Sequence, residues 1–297
     1  MNDMSLDPTQ VRPAAKSRTA GPHLLLTLAE AQRALLEASS MVTLSPLMRT
    51  LPRGDGHGVM VLPGFMATDQ STALFRRHLR RLDYQALPWN FGRNLGPRGS
   101  LMEDMVGSVK RLADSTGAAV SLIGQSLGGI YAREIARVIP AEVRQVISLG
   151  SPFGTMDGNG TNPGVARLFE LSTGRSAAEA RREHGFTDMQ APPPVPSTAI
   201  FSKSDGIAHW RICIERDTPT TDNVEIVGSH CGMAFNPVVL WIVADRLAQV
   251  AGHWQRFARS GVRRYLFPGP IFAPCSPSGG GGFVPPGGGG GGDESLG

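Results

Sequence analysis

Ser126 sits in the run Gly124-Gln125-Ser126-Leu127-Gly128. A serine hydroxyl is a nucleophile at neutral pH only when a base takes its proton and a third group orients that base. Two residues later in the chain suit those roles: Asp205 follows the apolar run 198–202, and His230 follows the apolar run 224–227. A serine, an acid and a histidine in that order, each just beyond a run of strand character, can form an acyl-enzyme and discharge it. The chemistry also needs two backbone N–H donors for the oxyanion of the tetrahedral intermediate. One is the N–H of Leu127. Leu62-Pro63-Gly64-Phe65-Met66 can turn the N–H of Phe65 inward as the other, with Met66 as the nearby alternative.

Each of these residues has a plain competitor. A chain with 37 glycines in 297 residues meets Gly-x-Ser-x-Gly by accident readily, so the pattern needs its structural context. Asp205 precedes Gly206 and reads equally well alone as a turn aspartate. His230 is one of seven histidines. His57, His78, His184, His209 and His253 read as surface or loop residues, and His23 as the start of a helix. His209, four residues past Asp205, is the main rival, but it belongs to the acid's loop rather than to the loop after the last strand. Joint position is the discriminator, since the motif alone is not.

That position depends on the intervening elements. Apolar runs at 59–62, 84–87, 118–123, 146–149, 198–202 and 224–227 alternate with helical patterns at 69–82, 101–112, 130–138 and 237–250. Such alternation predicts βαβ units: an α/β protein with a mostly parallel sheet of about six strands and flanking helices. Right-handed crossovers place every strand's C-terminal end on one edge, where the sites of open α/β sheets form. The helix after Ser126 is expected to bury Ile130, Ile135 and Val138, with Arg133, Glu134 and Arg137 outside. Segment 151–196 has no strand signal and two helical patches, near 165–171 and 176–183. It reads as a small cap or lid inserted over the site.

The rest of the chain divides around that domain, which spans 57–267. Residues 1–22 read as a flexible tail. Residues 23–56 form a helical segment whose stripe of Leu24, Leu25, Leu28, Ala31, Leu35 and Leu36 either packs on the domain or lies on a lipid surface. Residues 268–297, with glycine runs at 279–282 and 287–292, cannot bury a core and read as disordered.

Composition narrows the function classes. The chain is 41% hydrophobic, enough for an ordinary globular core. Its net charge is +4, but its arginines are mostly dispersed among acids, and no nucleic-acid-binding module is present. Arg76, Arg77, Arg80 and Arg81 form one cluster, read as a solvated helix face or an anionic docking face. No run reaches the roughly 18–20 apolar residues of a membrane span. Residues 1–20 do not form a secretion signal, which points to a cytoplasmic protein. Three scattered cysteines do not make a disulfide scaffold or a zinc site, and the serine chemistry requires no metal or cofactor.

Together these residues resemble the α/β-hydrolase superfamily, and within it small bacterial serine esterases and lipases whose first core strand ends in Pro-Gly-Phe. The resemblance covers about residues 57–250. Leu149-Gly150-Ser151-Pro152, Ser204-Asp205-Gly206 and Gly228-Ser229-His230-Cys231-Gly232 are further pieces of it. It implies a carboxylic ester hydrolase with a single Gly-X oxyanion loop, a type associated with medium or long acyl chains and a small ester or lipid substrate. One departure is the lack of an antiparallel hairpin before Val59, so the sheet is expected to be trimmed. An acyltransferase, a thioesterase or a phospholipid deacylase could use the same triad. A non-catalytic, membrane-associated protein on this fold is the reading from another class. Cys213 and Cys231 lie on loops that must converge if the triad forms, so a disulfide between them and free thiols are both open.

Overall fold

Six apolar runs form strands in the computed structural model, which describes residues 22–154, 160–186, 188–261, 263 and 267. They are β1 (Gly58–Leu62), β2 (Gln85–Pro88), β3 (Val120–Gln125), β4 (Val143–Leu149), β5 (Ser197–Ser202) and β6 (Thr221–Ile226). All pair in parallel, in the order β2-β1-β3-β4-β5-β6. β1, β3 and β5 are buried along their whole length. A strand covered by helices on both faces has no solvent side, so its sequence is nearly continuously apolar. The expected trimmed, parallel sheet is thus the one observed.

Helices cover both faces. On one, α4 (Ala73–Arg81) and α9 (Pro237–Leu247) pack Phe75, Leu79, Val239, Leu240 and Val243 against Val61, Ile123 and Ile147. On the other, α5 (Leu101–Thr116) and α6 (Leu127–Val138) pack Met105, Val109, Tyr131 and Ile135 against Met60, Leu122 and Val146. Fully burying each such side chain contributes about 1.5–3 kcal/mol. Between β4 and β5 lie α7 (Pro163–Thr173) and α8 (Ala177–Glu183), the helices of the predicted cap.

The N-terminal segment is α1 (Leu24–Leu28), α2 (Glu30–Thr43) and α3 (Ser45–Met48). It packs on the domain, but through a face the leucine stripe did not foretell. Thr27, Glu30, Arg33 and Glu37 bond to the domain, and Met41 and Met48 enter its core. Leu24, Leu25, Leu28, Leu35 and Leu36 point outward, each 64–69% exposed. The polar side of this amphipathic segment faces protein, because the loops beneath it present backbone N–H groups rather than an apolar groove.

Three other expectations are corrected. Arg133 is fully buried and Val138 is exposed, because the cap's return segment lies over α6. There the Arg133 guanidinium pairs with Glu215, donates to Met189 O (3.1 Å) and Ala191 O (2.9 Å), and stacks 3.8 Å from the Phe153 ring. His57 and His78 are buried rather than on the surface; His57 bonds Asp55 and Ser121 beneath the sheet. The arginine cluster is divided: Arg76 is buried on Asp69 O and Thr72 Oγ1, and Arg80 donates to Ala86 O. Residues 1–21 of the tail read at 1–22, the tail at 268–297 with its Cys275, and residues 155–159 and 187 of the segment read as a cap lie outside the described residues.

Candidate active site

The register of the sheet assembles the site. β1 and β3 pair with Leu62 opposite Gly124, so the chain leaving β1 runs beside the chain leaving β3. A Cβ placed on Gly64 would lie 3.3 Å from Ser126 Cβ. This is the point where strand order reverses, with β2 on one side of β1 and β3 on the other, and crevices of open α/β sheets form there. Ser126 occupies φ +50°, ψ −118°, a left-handed conformation that costs a non-glycine residue about 1–3 kcal/mol. Ser126 N–H donates to Leu149 O (2.9 Å) and Ser126 O accepts from Gly129 N–H (3.0 Å), which fixes the strained turn between strand and helix. The turn leaves no room at Gly128, where a Cβ would lie 2.7 Å from Pro63 O and closer still to Leu62 O.

Asp205 and His230 come from neighbouring strands. β5 and β6 pair with Ser202 opposite Ile226, so the loops beyond them leave the sheet at one level. His230 Nδ1 meets Asp205 Oδ2 at 2.6 Å, with both residues buried. Asp205 Oδ1 accepts from the N–H groups of Ile207 (2.8 Å) and Ala208 (2.7 Å), which orients the carboxylate. Burial alone disfavours the imidazolium. The charge and hydrogen bond of Asp205, with Glu30 adding to them, outweigh it and hold His230 above its ordinary value. His209, the rival, instead accepts from Arg211 N–H and stacks on Trp210.

The His230 backbone is tied to the Ser126 turn: Gln125 Nε2 donates to His230 O at 2.9 Å. Ser126 Oγ makes no hydrogen bond among the described residues. Catalytic hydrogen bonds without substrate are often long and tighten in the complex. Of the two candidate oxyanion donors, neither Phe65 N–H nor Leu127 N–H has an acceptor among the described residues. Met66 N–H is engaged by Asn94 O at 2.7 Å, which leaves Phe65 as the free donor of its loop.

Two features escaped the sequence reading. Glu30, on α2, is 4% exposed. Its Oε1 accepts from Gly206 N–H (2.8 Å) and His230 N–H (3.1 Å), and its Oε2 accepts from Cys231 N–H (2.9 Å). Glu37, two helical turns further on, accepts from Ser229 N–H (2.7 Å). The N-terminal helix therefore fastens the acid loop to the histidine loop. A glutamate pair spaced seven apart opposite the leucine stripe was the available signal. The second feature is Asn94, fully buried in the loop between β2 and α5, whose Nδ2 donates to Pro63 O (2.9 Å) and so braces the loop that carries Phe65. Cys213 and Cys231 are free thiols rather than a disulfide. Cys213 is buried on the acid loop, whereas Cys231 is exposed; partial withdrawal of its thiol from water and the charge of Glu30 push it up.

Ser126 opens into a cavity of about 240 Å³ roofed by α7 and α8. Its walls are mainly apolar, including Phe65, Leu127, Ile130, Val165, Phe169 and Met189. Phe169 of the cap packs on Phe65, with ring centroids 5.3 Å apart. An apolar chamber with a few convergent polar groups is the usual form of a small-molecule site.

Among solved structures, the chain is similar to lipase B of Aspergillus fumigatus, with a TM-score of 0.53 and 17% identity, over 67% of this chain and 54% of that one. It thus spans about half the length of that lipase. It is also similar to a carboxylesterase from Bacillus subtilis (TM-score 0.44, 15% identity, 73% of this chain and 98% of that one). A third is a monoacylglycerol lipase from Paleococcus ferrophilus (TM-score 0.45, 13% identity, 66% of this chain and 96% of that one). No protein-family model and no curated protein matches the chain.

Proposed function

The chain has the α/β-hydrolase fold, and on that premise we propose that it is a serine hydrolase of carboxylic esters with an apolar acyl or alcohol part. The observation that carries this reading is the convergence at one sheet edge of the strained Ser126 and the Asp205–His230 pair at 2.6 Å, beneath an apolar cavity. Ser126 Oγ attacks the ester carbonyl, and His230 Nε2 takes the serine proton. The imidazolium formed is stabilised by Asp205 at Nδ1 and by the nearby charge of Glu30. Phe65 and Leu127 N–H groups hold the oxyanion. His230 passes its proton to the leaving alcohol, and water, activated by the same imidazole, releases the acid.

The test is hydrolysis of p-nitrophenyl esters by the wild type and by Ser126→Ala. The variant should retain the fold, seen as an unchanged circular dichroism spectrum, and lose more than about 10³-fold in kcat. Retained activity would overturn the assignment. The outward leucines of α1 and α2 favour a lipid surface as the place of action. Among the described residues no helix is long and apolar enough to cross a membrane, so such contact would be peripheral.

A further inference from the structure

What the cavity selects can be taken further, on the premise that it is the ester site proposed above. Its apolar wall is broken by one cation, Arg181. α8 turns Ala177, Ala180 and Arg181 to the cavity and leaves Glu179, Arg182 and Glu183 exposed. Neither acid of this helix serves the arginine. Glu179 closes the helix's capping box with Ser176, and Glu183 pairs with Arg175.

Among the described residues the Arg181 guanidinium forms no ion pair, and its hydrogen bonding is limited to Nη2 donating to Pro152 O at 3.4 Å. Arginines around it are treated differently: Arg133, Arg137, Arg175 and Arg216 all pair with carboxylates. Arg181 is half-buried; withdrawing a guanidinium even partly from water without a counter-charge is unfavourable, and this burial, with no described carboxylate to offset it, lowers the Arg181 pKa. Arginine carries five N–H donors in a planar fork that matches a carboxylate or a phosphate through two parallel bonds. At least three of those donors face no acceptor among the described residues. Pro152, its one partner among them, follows the carboxyl end of β4 beside the Ser126 turn, so the fork opens into the chamber that holds Ser126.

We propose that Arg181 is an anion-binding subsite of this cavity, so that the preferred ester carries a carboxylate or a phosphate remote from its scissile carbonyl. The anion supplies a counter-charge that no described residue provides, and the alanines of α8 leave it room. Neutral esters of the same length leave the guanidinium uncompensated in the occupied, drier cavity. Selectivity comes from that penalty as much as from the bonds formed.

Two substrate pairs distinguish the sources. The p-nitrophenyl monoester of suberic acid is compared with p-nitrophenyl octanoate, which differs by the terminal carboxylate alone. Octanoyl glycerol phosphate is compared with octanoyl glycerol for the phosphate. In the wild type, kcat/KM should favour the anionic member of one pair. Arg181→Met should cut that anionic-to-neutral ratio by roughly tenfold or more, and Arg181→Lys should restore part of it. A wild-type ratio at or below one in both pairs, or a ratio unmoved by Arg181→Met, overturns the subsite. Calorimetric titration of Ser126→Ala protein with suberate and with inorganic phosphate gives a readout independent of turnover. Saturable binding of either anion that Arg181→Met removes supports the subsite even if no ester is cleaved, in which case the hydrolase reading fails and the subsite stands. Binding of neither anion overturns it even in an active esterase.

Discussion

Replacing Glu30 with glutamine tests whether the N-terminal helix is part of the catalytic apparatus. The carboxylate accepts three backbone N–H bonds, from Gly206, His230 and Cys231, at 2.8–3.1 Å. A glutamine of the same shape can keep its one oxygen on the two donors that share Oε1. Its amide nitrogen then confronts Cys231 N–H, so one charge-assisted bond is lost and a buried donor is left unpaired. A hydrogen bond to a charged group contributes about 1.5–3 kcal/mol, so Glu30→Gln should lose about 2 kcal/mol of stability. For a domain of this size that corresponds to a fall of roughly 4–8 °C in Tm. The second consequence is specific to charge. Glu30 is one of the groups that raise His230, and removing its negative charge disfavours the imidazolium. The acid limb of kcat/KM should therefore move to lower pH, while kcat itself falls through the loosened histidine loop, by about tenfold. Thermal melting and a pH–rate profile of the same protein suffice as the assay. A variant whose Tm and acid limb both match the wild type would refute the idea that α2 holds and tunes the histidine. A lowered Tm with an unmoved limb would reduce Glu30 to scaffolding.

Three further outcomes are expected. In the wild type the acid limb of kcat/KM should lie above the ordinary histidine value, because the working form is neutral imidazole and Asp205 holds the protonated form in place; an acid limb at or below that value would contradict the electrostatics of the site. Asn94→Ala removes the brace on Pro63 O and should lower kcat by roughly tenfold with KM little changed, since it disturbs a donor used mainly in the transition state; a change confined to KM would argue against Phe65 as oxyanion donor. Exchanging Leu28, Leu35 and Leu36 for asparagine removes apolar surface that is 64–69% exposed and should abolish co-flotation with phosphatidylcholine vesicles while leaving hydrolysis of a water-soluble ester intact. Wild-type protein that stays at the bottom of the gradient would remove the lipid surface from the reading.

Much of this was legible in the chain itself. Continuous apolar runs such as Gly58–Leu62 announce strands covered on both faces, since only burial on two sides dispenses with alternation. Alternation of those runs with 3.6-period helices dictates parallel pairing, and parallel pairing sends Ser126, Asp205 and His230 to one edge. The choice of His230 over His209 followed from the same rule, because the loop after the last strand is a topological position readable without coordinates. Local sequence could also place the elbow, where Gly128 is required by contact with the neighbouring strand's exit.

What lay beyond the sequence was decided by contacts between segments far apart in it. An amphipathic pattern states which residues share a face but not which face meets protein. α2 turns its carboxylates inward because three unpaired N–H groups of the Asp205 and His230 loops await it, some 175–200 residues away. Arg133 reads as a surface residue until the cap's return segment, with the carbonyls of Met189 and Ala191, and Glu215 from the connection between β5 and β6 close over it. Arg181 reads as one more exposed cation of a short helix until the cap's placement turns it into the cavity with no carboxylate partner among the described residues. Sequence periodicity determined the sheet and the edge to which Ser126, Asp205 and His230 are brought. Only tertiary packing, which satisfies or withholds partners for buried polar groups, decided how the histidine is held and what the cavity asks of its ligand.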